Sequence, residues 1–250
     1  MYNEAAQPYI SVSEFWEGID NQKAHLRAAN YNTMIFDFQQ KYELGKAIAN
    51  SNYGLLKKNN NTFRGQGLEK YAVTFIDNHD TFERSEEDAC NQEFAGCNAD
   101  LTASGIRSKI LQANAYILLM PGVPCVFWPH WKSYREEINA LIAVRKMAGI
   151  HSESVVTDEK SGVLAYSGTI QGHRGKVVLR LGSNRDTSVP TGFHQVVDGE
   201  NYTVYLEDGT GIDEVGSTPS DKSQKFIHNG QLYIRHGDKV YDAIGRIVNL

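Results

Sequence analysis

Residues Tyr71–Thr81 read YAVTFIDNHDT. Ala72 to Asp77 have the composition of a buried β-strand, with β-branched and aromatic residues set among small ones. The run then stops on Asn78, His79, Asp80 and Thr81. A solvent-facing turn is served by Gly or Asn alone. Asp80 as a cap on a following helix would account for one residue of the four. Why the strand ends on an amide, an imidazole, a carboxylate and a hydroxyl depends on what lies beside it.

Up to about residue 150, strands alternate with helices. Tyr9–Val12 is a short apolar strand, followed by the polar loop SEFWEGID, in which Asp20 can cap a helix through KAHLRAAN. Thr33–Phe38 (TMIFDF) is a second strand, and KYELGKAIA after it is helical. The Asn-rich run KKNNNTFRGQG is a surface loop. After the opening strand and a long polar loop, a helix is predicted from about Ser104, with Ile106, Ile110, Ala113 and Ile117 at helical spacing. Val123–Trp128 (VPCVFW) is a fourth strand. SYREEINALIAVRK then opens a last helix, with Ser133 and Glu136 spaced as a capping box and Gly149 as its stop.

This order implies parallel strands joined by crossover helices, in an α/β layer or a barrel. Beyond Ile150 the helical period disappears. GVLAYSG, KVVLRLG, YTVYLED and QLYIRHG are short strands between Gly, Asn and Asp turns, which predicts an antiparallel sandwich. The expected division is therefore an α/β part, 1–150, and an all-β part, 151–250.

The 250 residues are 41% hydrophobic, enough to bury a sizeable core. A net charge of −5 excludes a basic nucleic-acid footprint. The most apolar stretch, Ala115–Trp128, is broken by Pro121, Gly122 and Pro124 and is too short to span a bilayer. MYNEAAQPYI shows no basic segment followed by an apolar run, so no signal peptide is read there. Cys90 and Cys97 share one polar loop; a disulfide between them, implying an oxidising compartment, and two free thiols are both open readings. Cys125 reads as a small core hydrophobe. No CxxC or His-rich spacing points to a metal in this chain.

In parallel α/β folds the chemistry sits beyond the carboxyl ends of the strands. Those ends present Ser13-Glu14-Phe15-Trp16, then Asp37, then Asn78-His79-Asp80, then Trp128-Pro129-His130-Trp131. Glu14 and Asp80 lie 66 residues apart (80 − 14). An eight-unit barrel spends about 31 residues per unit, so the two acids are two units apart and can line one mouth. Carboxylates among aromatic rings suit glycosidic cleavage, which needs an acid for the leaving oxygen and further carboxylates around an oxocarbenium-like centre. Plainer readings stand beside this one. Glu14 can be a solvated loop residue, Asp80 a helix cap, His79 a core histidine, and Trp128 and Trp131 a seal on the rim. Asp37 reads as structural, and the acidic stretch Glu83–Asp100 as a solvated face.

Taken together the residues resemble the α-amylase family of retaining glycoside hydrolases. FIDNHDT (Phe75–Thr81) is similar to the family's fourth conserved segment, a highly specific match, and ISVSEFWEG (Ile10–Gly18) to its third, at the end of barrel strand five. MIFDFQQKYEL resembles the region of strand six, and PGVPCVFWPHW that of strand eight. The resemblance spans nearly the whole chain. It implies strands five to eight of a (β/α)8 TIM barrel followed by the family's C-terminal β-sandwich, and an α-glucan (starch, maltooligosaccharides) as substrate. It makes Glu14 the general acid/base and Asp80 the third catalytic carboxylate. His79 and Asn78 would touch the sugar, with Trp16, Trp131 and His130 as further substrate contacts. The strand would end on Asn-His-Asp because that rim faces the scissile sugar.

Two departures follow. Ser13 stands where the family usually has Gly before the acid, a mild change. The larger one is the nucleophile, an Asp in an Arg-x-Asp motif after strand four. No such motif occurs in the first 70 residues, and the family's Asp-x-x-x-Asn-His segment and calcium-bearing inserted domain have no counterpart. The chain therefore reads as a fragment that is inactive or very weak alone, with calcium expected only in a complete enzyme. Its open sheet edges would be met by the missing N-terminal half or by a second copy. The alternatives are a non-catalytic glucan-binding protein and a self-associating half-barrel. A polymeric substrate and the paired cysteines point outside the cell.

Overall fold

A computed structural model of the chain describes residues 10–57, 61–81 and 109–210 and four later strands, Gln224–His228, Gln231–His236, Lys239–Asp242 and Ile247–Val248. The chain gathers into two compact units, Met1–Thr210 and Gly211–Leu250. Cys90, Cys97 and the stretch Glu83–Asp100 lie outside the described residues.

The first unit opens with four strands: β1 (Val12–Ser13), β2 (Met34–Phe36), β3 (Ala72–Thr74) and β4 (Val123–Pro124). They pair in chain order and every pairing is parallel. Between and after them run α1 (Ile19–Ala28), α2 (Phe38–Ala49), α3 (Ile110–Leu119), α4 (Trp128–Ser133) and α5 (Arg135–Ala148). The paired segments are shorter than the predicted strands, and the causes are local. Asp37 turns the chain into α2, its carboxylate accepting the Gln40 N–H at 3.0 Å. Trp128 begins α4 instead of ending β4, because Pro129 suits the first turn of a helix.

Two predicted caps do not form. α1 starts after Gly18 with no side-chain cap, and Asp20 lies inside its first turn, paired with Lys23 at 3.4 Å. α5 starts after Tyr134, also without a side-chain cap, and Ser133 instead closes α4. The stop at Gly149 does form. Its φ of 68° is a conformation glycine adopts without steric cost. Cys125 is exposed and not part of the core, since β4 is an edge strand and its pairing ends at Pro124.

From residue 155 the first unit continues as a five-stranded antiparallel sheet: β5 (Val155–Ser161), β6 (Tyr166–Gln171), β7 (Lys176–Leu181), β8 (Phe193–Gly199) and β9 (Tyr202–Glu207). The spatial order is β5-β6-β7-β9-β8. Residue 150 marks a change of element type but no gap in packing. Leu44, Ile48, Ile117, Leu141 and Val144 of the helices share one buried core with Tyr166, Val177, Leu179 and Val204 of the sheet. The β6–β7 turn reinforces the join, because His173 N–H and Arg174 N–H donate to the carbonyls of Gly149 and Ala148 at 3.0 and 2.9 Å. Arg174 Nη2 also donates to the carbonyl of Lys146. The first two bonds satisfy the Ala148 and Gly149 carbonyls, which the end of α5 would otherwise leave open, whereas that of Lys146 also accepts the Gly149 N–H.

Across the same join, Arg64 forms a two-pronged ion pair with Glu159 on β5, both contacts at 2.8 Å, and Tyr166 donates its hydroxyl to Glu159 at 2.9 Å. The second unit is a four-stranded antiparallel sheet, β10 (Gln224–His228), β11 (Gln231–His236), β12 (Lys239–Asp242) and β13 (Ile247–Val248), paired in chain order. No helix among the described residues is long and apolar enough to cross a membrane.

Asp37 gives the fold a pH dependence. It is buried, and its second carboxylate oxygen accepts the Phe63 N–H at 3.2 Å. Burial raises its pKa from 3.8 to about 7, against the two backbone bonds that favour the anion. The folded state thus holds the proton more tightly than the unfolded chain. Stability is greatest below the unfolded pKa, falls as pH rises toward about 7 and is flat above it. The fall between about pH 5 and 7.5 is expected to be roughly 2–3 kcal/mol. Urea midpoints across that range should decline in the wild type and lose most of this slope in Asp37→Asn.

Candidate active site

The parallel register sends all four strands toward one rim, where residues following β1 and β3 meet. Glu14 follows β1 directly. Its Oε1 accepts the indole N–H of Trp16 at 2.9 Å and the side-chain amide of Asn78 at 3.4 Å. The backbone around it is held from below. Ser13 Oγ meets His25 Nε2 at 3.0 Å and Thr33 Oγ1 at 3.2 Å, and Phe15 stacks on the His25 ring. Trp16 lies on Phe38 with ring centroids 4.1 Å apart, and Phe38 and Phe36 meet Phe75 edge-on at 5.0 Å each. This aromatic layer fixes the Trp16 indole, and through it one oxygen of Glu14.

Asn78 does the corresponding work beyond β3. Its Oδ1 accepts the backbone N–H groups of Asp80 and Thr81 at 3.1 and 3.0 Å, a tight Asx turn. Its own N–H donates to Thr81 Oγ1, and Thr81 donates to Asp77 Oδ1, both at 3.1 Å. The turn presents Asp80 and His79 outward as a pair, Oδ2 to Nε2 3.4 Å, with side chains 50% and 79% exposed. One amide therefore ties the Glu14 carboxylate to the turn that carries Asp80.

The other predicted contacts are placed differently. His130 is 2% exposed, and its Nε2 lies 3.2 Å from Oδ2 of buried Asp77. It supports the turn from within and presents no open face on the rim. Trp131 stacks against Trp128, donates its N–H to Asn139 at 3.0 Å and carries the Arg135 guanidinium over its ring. Asp37 caps α2, as a structural residue. The sequence marks Thr81 only as the hydroxyl that ends the strand, and it gives Asp77 no role. The signal available at Asp77 was a carboxylate closing a run that is otherwise uncharged.

Among curated proteins, the chain is 33% identical over 138 residues to the alpha-amylase type B isozyme of Hordeum vulgare, covering 54% of this chain and 78% of that protein. The chain belongs to the α-amylase family. It is 31% identical over 226 residues to a glucan 1,4-alpha-maltotetraohydrolase of Stutzerimonas stutzeri, and 32% identical over 267 residues to the maltotetraohydrolase of Roseateles saccharophilus. These alignments cover 86% and 99% of this chain, but 37% and 46% of the relatives, so the amylase-family chain spans under half the length of either maltotetraohydrolase. No protein-family model matches it.

In structure, it is similar to a cyclomaltodextrin glucanotransferase with a three-domain ABC distribution (TM-score 0.53, 16% identity, 79% of this chain and 47% of that one). An Anoxybacillus alpha-amylase gives TM-score 0.53 at 14% identity, over 82% of this chain and 54% of that one. At such identities the likeness speaks for the fold alone, which is one shared with α-amylase-family enzymes.

Proposed function

We propose that this amylase-family chain carries the acid/base and one further carboxylate of a retaining glycoside hydrolase acting on α-glucans such as starch and maltooligosaccharides. The observation that carries the reading is the Asn78 bridge, which gathers Glu14 and the Asp80 turn onto one rim. Glu14 protonates the leaving glycosidic oxygen and later takes a proton from water. Trp16 and Asn78 both donate to Oε1, so Oε2 is the oxygen free to carry the transferred proton. Asp80, His79 and Asn78 bind sugar hydroxyls, and Trp16 offers an aromatic edge to the neighbouring ring.

The four parallel strands are, in this reading, strands five to eight of a (β/α)8 barrel, and the chain beyond residue 150 is the all-β C-terminal part of the family. A retaining mechanism requires a nucleophilic carboxylate about 5–5.5 Å from the acid. No Arg-x-Asp occurs in this sequence, so the nucleophile comes from the other half of the barrel. The edges at β1 and β4, with Ile10 66% and Val12 41% exposed, favour a partner that completes the sheet, either that half or a second copy. The resemblance also implies calcium in the complete enzyme. Among the described residues no group of three or more His, Cys, Asp or Glu side chains could hold a metal ion, so they do not fit one.

The purified chain is expected to release no reducing sugar from soluble starch above the level of its Glu14→Gln variant. Release that disappears in the variant would mean this chain suffices, and the incomplete-site reading would be wrong.

A further inference from the structure

Trp128 is the large side chain on the rim that the proposed chemistry does not use. It is 65% exposed, while its helix neighbour Trp131 is half-buried. The two indoles stand three residues apart on α4, the spacing that puts side chains on one face of a helix. They stack with centroids 4.8 Å apart and planes 25° from parallel. Trp131 is already engaged: Trp128 lies against it, the Arg135 guanidinium sits 4.3 Å from its centroid, and its N–H is given to Asn139. It has little ring surface left for a ligand. Trp128 has the reverse character, an open ring whose indole N–H makes no hydrogen bond among the described residues.

Resting on the glucan reading above, we propose that Trp128 is a stacking site for a glucose ring of an α-glucan chain, and that Trp131, Arg135 and Asn139 hold it in place. The face of an α-linked glucose is a patch of C–H bonds bordered by hydroxyls. An indole that is open on its face and carries an unused donor at its edge matches both parts. The fixed backing ring lowers the entropy lost on binding. The site is continuous with the candidate active site, because α4 begins where β4 delivers the chain to the rim that carries Glu14 and Asp80. Three strand spacings separate the ends of β1 and β4, roughly 14 Å, so a sugar on Trp128 belongs to the same bound chain but not to the reacting ring.

Calorimetric titration of the purified chain with maltoheptaose tests this, with retardation in amylopectin-containing native gels as a second readout. Trp128→Ala is expected to bind maltoheptaose about three- to tenfold more weakly, while Trp128→Tyr, which keeps an aromatic face, retains most of the affinity. Cellohexaose, a β-linked chain of different curvature, is expected not to compete. Equal binding by the wild type and Trp128→Ala would overturn the Trp128 site and leave the glucan reading standing. No binding of maltoheptaose by the wild type would overturn both. Competition by cellohexaose would overturn the assignment to α-glucans.

Discussion

Arg64→Ala is expected to lower the stability of the chain by about 3–5 kcal/mol, the effect of removing one partner from a buried ion pair. The Arg64 and Glu159 side chains are 14% and 16% exposed, and they meet through two parallel contacts of 2.8 Å. Burial alone would lower the pKa of Arg64. The hydrogen bond to Glu159, together with the charge interactions with Tyr116, Tyr166 and Glu159, outweighs it, and the guanidinium is held above its usual range. Deleting it strands a carboxylate in the join between the α/β elements and the antiparallel sheet. The melting temperature should fall by roughly 10 °C or more.

A double variant, Arg64→Met with Glu159→Leu, should recover much of the loss, since an apolar pair of similar volume often replaces a buried ion pair at little cost. Its recovery should be incomplete because of Tyr166. Its hydroxyl would lose the Glu159 acceptor and keep only Met120 Sδ at 3.5 Å. Adding Tyr166→Phe should restore more. Thermal melts of the three variants check the order. An Arg64→Ala protein as stable as the wild type would mean the pair does not hold the join.

How far the sequence could be read depended on whether the signal was local. The four parallel strands and the residues at their ends were legible, because apolar runs and the polar residues that stop them are neighbours in sequence. Asp37 was readable as structural for the same reason, standing just before the apolar face of α2. β5 was not readable: its VVTDEKS alternates exposed with half-buried positions and offers too few apolar residues to register as a strand. β8 was missed on similar grounds, with FHQVVDG interrupted by a bulge after Gln195.

The support beneath the site was the least visible part. Asp77 follows β3 and His130 sits on α4, and nothing in either local sequence announces their 3.2 Å approach. The capping box at Ser133 fitted its pattern, yet the short helix α4 claims that serine first. Trp128 and Trp131 both stand out in the sequence, but which one is covered and which is open depends on Arg135 and Asn139, and that is a question of packing.

The second large effect concerns Glu14. Under the proposed function, and with a nucleophilic carboxylate supplied in trans, Glu14→Gln should lower starch hydrolysis by about 10²–10⁴-fold, the usual worth of a positioned general acid/base. The fold should be undisturbed, because glutamine keeps a side-chain oxygen to accept from Trp16 and Asn78. Asp80→Asn should lower the same rate through weaker hold on the sugar while leaving the Asn78 turn intact, since that turn uses the backbone of Asp80 and not its carboxylate.

The most direct measurement is reducing-sugar release from soluble starch by this chain co-expressed with the portion of the Stutzerimonas stutzeri maltotetraohydrolase outside the matched 226 residues. Release by the mixture, none by either part alone, and its loss in Glu14→Gln is the expected result. Equal release by the Glu14→Gln mixture, or full release by this chain alone, would contradict the assignment of Glu14 as the acid of a site completed from outside the chain.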